Sequence, residues 1–372
     1  MSKKIRIMYA MGGCMKRAGA ETVIMQYLRQ LVHDPAFDFS ILVHGNGKGD
    51  YDDELQAMGV PIYHATIRGQ HPFTYSRKVA NLLWEHPVDI IHCNMDNASG
   101  HFLKIAKDCG IKIRIAHSHT TRILAQNPIK KFFGYLSKKQ IHRVATHRLA
   151  CSRKAGDWLF GSDQYLIINN AIDFEKYGYD SQVRQYLRNK LHIGEHTLTL
   201  CHIGSFTYPK NHKGLLHIFK EWKKVHPDSK LLLAGVGPLM NDIKKMAIQM
   251  NLQSDVVFLG LCNNIPSLLQ AADVFVMPSL MEGLPVSGIE AQAAGIPCLF
   301  SDTITSEICM TPMAERIPIT STDEWISKLL TIRPERKYKE AQEALTIHGY
   351  NIEKEAAKLS DLYKKWKFQY GE

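Results

Sequence analysis

The chain has 372 residues, a length that favours two domains over one. Hydrophobic residues make up 45% of it and charged residues 22%, an ordinary globular balance that argues against extended disorder. The formal charge of +10 points to anionic partners, and eight scattered cysteines without a CxxC pair argue against a zinc site or a secreted disulfide framework.

The chain opens Met1-Ser-Lys-Lys and passes straight into a strand at Ile5–Ala10. That lead has no cleavage-site pattern, and no run of 18 apolar residues occurs anywhere, so neither a signal peptide nor a transmembrane helix is expected. The expected location is the cytoplasm. Next comes a glycine loop, Met11-Gly12-Gly13 to Gly19-Ala20-Glu21, leading into a helix over Thr22–Val32. A flexible loop ending at a helix N-terminus can approach phosphate or sugar closely, and a structural turn explains it equally well on local grounds.

Strands are expected at Phe39–Val43, Pro61–His64, Asp89–Cys93, Lys112–Ala116 and Leu149–Cys151, with an amphipathic stretch at Ser76–Trp84. The strand Lys112–Ala116 ends in His117-Ser-His119. Histidines at a strand's carboxyl end suit acid–base work or the polarisation of a hydroxyl, and His117 ranks above His119. No Asp, Glu or Cys stands nearby at ligand spacing, so no metal is expected.

From Cys109 to Gly156 there is no acidic residue and there are eleven Lys and Arg, so segment 112–154 presents one sign of charge. An anionic partner follows: lipid headgroups, a phosphorylated acceptor or nucleic acid. Within it, Asn127–Lys139 carries Ile129, Phe132, Phe133 and Leu136 at helical spacing beside Lys130, Lys131, Lys138 and Lys139. Such a helix can dock on an anionic membrane, or its apolar stripe can pack into the core.

A boundary near Asn169–Asn170 divides residues 1–170 from a second domain at 171–351, with hinges at Asn169–Asp173 and before a charged amphipathic helix at Ile352–Lys367. Asp173 to His196 reads as a polar connection. Strands then recur at Leu198–Ile203, Lys230–Ala234, Val256–Leu259, Val274–Met277 and Cys298–Phe300, with helices at Gly214–Val225 and Met240–Met250. Strands alternating with helices of this length indicate βαβ units and doubly wound parallel sheets.

The strongest motif is Glu282-Gly283-Leu284-Pro285-Val-Ser-Gly-Ile-Glu290, followed by Ala-Gln-Ala-Ala-Gly295-Ile-Pro297. It follows a strand, and a helix is expected to start at about Leu284, with Pro285 in its first turn and Gly295 just past its end. Its N-terminus would leave the carboxyl end of the sheet, where open α/β sheets bind ligands, and would suit a diphosphate. Glu282 at the mouth and Glu290 about two turns along suit sugar or ribose hydroxyls. Lys210, on the loop after His202-Ile-Gly204-Ser205, can meet a departing diphosphate. Gly235-Val-Gly237-Pro238 and Gly260-Leu-Cys-Asn-Asn264 are glycine turns at strand ends, a weak signal alone.

Two glutamates separated by seven residues, within E-G-x-P-x-x-x-x-E-A-x-A-x-G-x-P, resemble the signature of family 4 retaining glycosyltransferases of the bacterial exopolysaccharide and capsule type. The resemblance implies an α/β fold of the GT-B type: two Rossmann-like doubly wound domains facing a cleft. The first lies on the acceptor side, the second binds the nucleotide-sugar, and a helix over 352–372 packs back on the first. It implies that Glu282 faces the donor sugar, Glu290 holds the ribose and Lys210 meets the phosphates. Gly13, Gly237, Gly260, Gly283, Leu284 and Pro285 would line the donor; His117 would stand near the sugar and acceptor, with His119 and Gly19 beside them. The family pattern has an arginine where this chain has Ser205, and Asn211 or His212 are candidates to compensate.

The implied activity is retaining, metal-independent hexosyl transfer from a nucleotide-diphosphate sugar, UDP-sugar favoured, to a lipid-linked or saccharide acceptor. No cofactor and no nucleic acid is expected, and the basic segment 112–154 would hold the enzyme peripherally on the inner face of the cell membrane. Two alternatives stand beside it: an epimerase or phosphorylase on the same architecture, and a non-enzymatic nucleic-acid-binding protein.

Overall fold

A computed structural model describes residues 4–17, 19–71, 73–121 and 127–371, with the backbone alone for 128–130. The chain forms two compact units, Met1–Ile172 with Ile352–Glu372, and Asp173–Asn351.

The first unit alternates strand and helix: β1 (Ile5–Met11), α1 (Gly19–Leu31), β2 (Phe37–His44), α2 (Asp52–Ala57), β3 (Ile62–Ala65), α3 (Tyr75–Glu85) and β4 (Ile90–Asn94). It continues with α4 (Ser99–Asp108), β5 (Ile113–Ser118), α5 (Pro128–Val144), β6 (His147–Ala150), α6 (Arg153–Phe160) and β7 (Leu166–Ile167). All pairings are parallel in the order β3-β2-β1-β4-β5-β6-β7. The order reverses between β1 and β4, which places the loops after those strands at the switch point where such sheets bind ligands. Helices cover both faces, so β4 is buried from end to end.

The second unit runs α7 (Ser181–Lys190), β8 (Leu198–Ile203), α8 (His212–Val225), β9 (Ser229–Ala234), α9 (Met240–Gln249), β10 (Val256–Gly260), α10 (Ile265–Ala271) and β11 (Val274–Met277). It ends with α11 (Val286–Ala293), β12 (Cys298–Ser301), β13 (Ala314–Ile317), α12 (Thr322–Thr331) and α13 (Tyr338–Ile347). Its sheet is parallel in the order β10-β9-β8-β11-β12-β13, with the switch between β8 and β11. β11, Val-Phe-Val-Met, is wholly buried and leads into the glutamate motif, which spans the following loop and α11.

The final helix, α14 (Ile352–Gln369), belongs to the first unit and packs against α1. Lys364 Nζ donates to Asp34 at 2.7 Å and Lys367 Nζ to Asp89 at 3.2 Å, while Tyr363 and Trp366 are buried beneath.

The segment read as a polar connection is not a plain linker. Asp173 caps a 3-10 turn at Phe174–Tyr177, and Asp180 caps α7 by accepting from the N–H groups of Gln182 and Val183. The helix escaped its apolar periodicity because arginines anchor it. Arg188 is buried, and donates to the carbonyls of Ala271, Gly194 and Thr197. Arg184 pairs with Asp273 at 2.6 Å, and Arg188 reaches the same carboxylate at 3.3 Å. Short β7 and β13 were also missed, each too brief to show alternation.

The loops after β8 and β9 meet backbone to backbone. Gly235 has φ +139, and a Cβ there would strike the Gly204 carbonyl. Gly235→Ala should cost about 2 kcal/mol or more, from the positive φ and this clash together. The check is urea unfolding, and a loss under about 0.5 kcal/mol would contradict this packing.

Candidate active site

In the second unit the loops after β8, β9, β10 and β11 form one connected rim. Gly204 N–H donates to the Ala234 carbonyl, Phe206 N–H to Val236, and Gly235 N–H to Gly260, whose φ of +66 closes β10. Gly237 packs on the Phe206 backbone. The GxG turn is thus explained by close packing, which also positions the β8 loop.

That loop is tied to the one after β11. Leu280 N–H donates to the Pro209 carbonyl at 2.7 Å. Asn211, at φ 52, donates from Nδ2 to the Pro278 carbonyl at 2.9 Å, while its Oδ1 caps α8 at Gly214 N. The two tethers bring Lys210 and Glu282 together: Lys210 Nζ lies 2.6 Å from Glu282 Oε1, both side chains largely shielded. A carboxylate neutralised by an ammonium at that distance is a poor nucleophile and a good acceptor for a hydroxyl.

The structure corrects two expectations here. Helix α11 starts at Val286, with Pro285 at its N-cap, rather than at Leu284. Pro285 has ψ 121, outside the helical range, so Gly283 and Leu284 belong to the approach loop. No side chain caps this end, and Ser287 Oγ donates to the Ile203 carbonyl at 3.2 Å, pinning the first turn to β8. Second, neither Asn211 nor His212 replaces the charge missing at Ser205. Asn211 is committed to its two backbone bonds. His212 is buried against Phe206 at 3.9 Å between ring centroids, and burial beside Lys210 pushes it down to about 4, which keeps it neutral. Ser205 itself is exposed, its hydroxyl 3.3 Å from that of Thr207.

Glu290 sits on α11 and accepts a hydrogen bond from the Tyr177 hydroxyl at 2.7 Å. Burial pushes its carboxyl up to about 7, against the opposing pull of that bond. Tyr177 escaped the sequence reading because it lies in the segment taken for a connection; the Asp173 cap was the signal available.

In the first unit the ends of β1, β4 and β5 gather a second group. Gly12 and Gly13 follow β1, and Gly19 opens α1; a Cβ on any of the three would meet open space, and none has a positive φ. The fold does not demand glycine at these positions. Glu21, in the first turn of α1, has its carboxyl raised by burial. His117 is buried at the end of β5, its Nδ1 3.0 Å from His92 Nε2, and its ring centre lies 4.2 Å from that of His119 with the planes tilted by 32°. His119 lies 2.9 Å through Nε2 from Asn94 Oδ1, and its backbone N–H donates to Asp96 Oδ1 at 2.6 Å. Burial, then the neighbouring His119 and His92, holds His117 well below the ordinary imidazole range. His117 is therefore neutral at pH 7, suited to polarising a hydroxyl rather than to delivering a proton. His92, Asn94 and Asp96 were not singled out from sequence, since they fall within or just past an apolar strand.

The basic segment divides into two groups. Arg114 donates to the carbonyls of Val144, Ile111 and Lys112, Arg148 pairs with Asp163, and Lys138 donates to the Trp158 carbonyl while lying 4.9 Å from the centre of its ring. These are structural. Lys131, Lys139 and Arg143 are exposed. Helix α5 buries Gly134, Ser137, Ile141 and Val144, and leaves Phe132, Phe133 and Leu136 exposed. The stripe expected to choose between membrane and core thus faces outward. Arg122 and the side chains of Ile129 and Lys130 lie outside the described residues. Among the described residues, no His, Cys, Asp and Glu cluster could hold a metal ion, and no helix is long and apolar enough to cross a membrane.

The family model for group 1 glycosyl transferases matches residues 183–307, and that for a glycosyl transferase 4-like domain matches residues 18–163. The Bacillus subtilis (strain 168) protein EpsF, whose name assigns it to the glycosyltransferases, is 32% identical over 376 residues and 97% of each chain. The chain belongs to the family 4 glycosyltransferases. An Escherichia coli UDP-Gal:alpha-D-GlcNAc-diphosphoundecaprenol alpha-1,3-galactosyltransferase is 25% identical over 366 residues, covering 93% of each chain. Among solved structures, Anabaena Alr3699/HepE in complex with UDP superposes with a TM-score of 0.79 at 16% identity, covering 98% of this chain and 100% of that one. This likeness establishes the fold of the glycosyltransferase as GT-B. The matched segment 183–307 contains Lys210, Glu282 and Glu290, and the segment 18–163 contains His117 and His119.

Proposed function

We propose that this glycosyltransferase moves a hexose from a nucleotide-diphosphate sugar, UDP-sugar favoured, to a lipid-linked or saccharide acceptor, with retained anomeric configuration and without a divalent metal. The observation that carries the reading is the Lys210–Glu282 pair, tied beside the uncapped N-terminus of α11 with Glu290 about one turn along that helix. In this reading Lys210 and the first N–H groups of α11 receive the diphosphate, and Glu290 accepts from the ribose hydroxyls. Glu282 accepts from a sugar hydroxyl. Ser205, Gly237, Gly260, Gly283, Leu284 and Pro285 line the donor. In the first unit His117, with His119 beside it, meets a hydroxyl of the acceptor. The names of the relatives support this: one is a UDP-galactose enzyme with a diphosphoundecaprenol-linked acceptor, and another was solved with UDP.

The neutralised state of Glu282 favours attack by the acceptor on the leaving-group face over a covalent glycosyl-enzyme. Proton NMR of the sugar released during slow donor hydrolysis tests retention. The α-anomer should appear first from a UDP-α-sugar, and a β-anomer appearing first would contradict it.

We place the enzyme peripherally on an anionic cytoplasmic membrane face, held by α5, whose Phe132, Phe133 and Leu136 stand exposed near Lys131, Lys139 and Arg143. Changing Lys131, Lys139 and Arg143 to Glu should weaken binding to phosphatidylglycerol vesicles in co-sedimentation by about a hundredfold, at roughly 1 kcal/mol per removed cation. Unchanged binding would overturn the placement. Lys138 is left intact because it packs on Trp158.

A further inference from the structure

Beneath His117 lies a chain of buried polar groups reaching to the final helix. The Tyr9 and Tyr363 hydroxyls are 2.8 Å apart, Tyr363 Oη is 2.6 Å from His92 Nδ1, and His92 Nε2 is 3.0 Å from His117 Nδ1. The far ring nitrogen, His117 Nε2, is buried without a partner among the described residues, as is His119 Nδ1. The four residues joined by these three contacts come from four different elements: β1, α14, β4 and β5.

Counting protons fixes the direction of this chain. Two phenol protons need acceptors, and the available ones are the two phenol oxygens and His92 Nδ1. Both protons are satisfied only when Tyr9 donates to Tyr363, Tyr363 donates to His92 Nδ1, and that nitrogen is bare. In every other arrangement one O–H, shut away from water, is left unmet, which buried donors avoid. With Nδ1 bare, neutral His92 carries its proton on Nε2 and donates it to His117 Nδ1. Neutral His117 must then carry its own proton on Nε2. Burial, which pushes His92 down to about 3, keeps the relay in its neutral form at working pH.

We propose that Tyr9, Tyr363 and His92 form a tautomer-setting relay that fixes His117 with N–H at Nε2, making it a hydrogen-bond donor to a substrate oxygen. His119, donating through Nε2 to Asn94 Oδ1, keeps Nδ1 bare as an acceptor beside it. One donor and one acceptor left unmet on rings whose centres lie 4.2 Å apart match a hydroxyl group, which both accepts and donates. Tyr363 and His92 are positioning residues, and helix α14 thereby sets the chemistry presented at the end of β5. The role of His117 toward substrate rests on the proposed function; the relay itself does not.

The test is long-range 1H–15N NMR of the histidine rings in the full chain, with His117 assigned by comparison with His117→Gln. The expected result is a protonated Nε2 and a bare Nδ1 on His117. In Tyr363→Phe the His117 signals should shift toward a mixture of tautomers, and the transfer kcat should fall by roughly tenfold with UDP affinity unchanged. His92→Gln, whose amide N–H can still donate to His117 Nδ1, should restore more activity than His92→Leu. A proton on Nδ1 in the wild type, or signals unmoved by Tyr363→Phe, would overturn the relay. Because the NMR outcome needs no activity, it stands or falls apart from the transferase assignment.

Discussion

Lys210→Ala is expected to lower kcat for sugar transfer by about 10²–10³-fold, while UDP affinity falls by less than about tenfold. The asymmetry follows from where the charge appears. The diphosphate gains negative charge as the bond to the sugar breaks, so a preplaced ammonium stabilises the transition state more than the bound donor. Lys210 is preplaced by the Leu280–Pro209 bond, by Asn211 and by the ion pair with Glu282 at 2.6 Å. Ser205 offers a hydroxyl but no charge, and the neighbouring His212 is neutral, so neither makes up for the loss. Rates with Lys210→Ala within threefold of wild type would remove Lys210 from the chemistry.

Binding of a UDP-sugar is expected to tighten about tenfold between pH 6 and pH 8, with proton release that disappears in Glu290→Gln. The Glu290 carboxyl is raised from its ordinary 4.5 to about 7 by burial. A raised carboxyl favours the fold in its protonated form: the contribution is complete below about pH 4.5 and is lost as pH rises through about 7. Ribose hydroxyls donate hydrogen bonds and prefer the carboxylate, so binding below pH 7 expels a proton. Calorimetry at pH 6.5 in two buffers of different ionisation enthalpy measures it. The UDP-sugar is the right titrant, since free UDP titrates on its own terminal phosphate. Equal proton release from wild type and Glu290→Gln would separate Glu290 from the ribose.

Much of this architecture was legible in the sequence because parallel strands buried on both faces read as unbroken apolar runs. β11 shows this, and so does β8, both expected at the bounds they have in the structure. Helix α7 was not legible, because Arg184 and Arg188 hold it through ion pairs and carbonyls in place of an apolar stripe. The glutamate motif stood out through its strand–turn–helix setting, but the helix start slipped by two residues, since Pro285 serves as cap rather than as first turn. Lys210 and Glu282 are 72 positions apart in the chain, and no local pattern pairs them; the tethers between their loops do. The relay beneath His117 was further from reach, linking Tyr9, His92 and Tyr363 across the whole chain length.

The central claim is that the second unit holds the donor nucleotide through Lys210, the α11 N-terminus and Glu290. Calorimetric titration of UDP, GDP and ADP onto wild type and Glu290→Ala tests it without knowledge of the acceptor. UDP should bind, and Glu290→Ala should weaken it by about 10–100-fold, the range for losing hydrogen bonds to a charged group. UDP binding equally to both proteins, or no nucleotide binding to either, would contradict it.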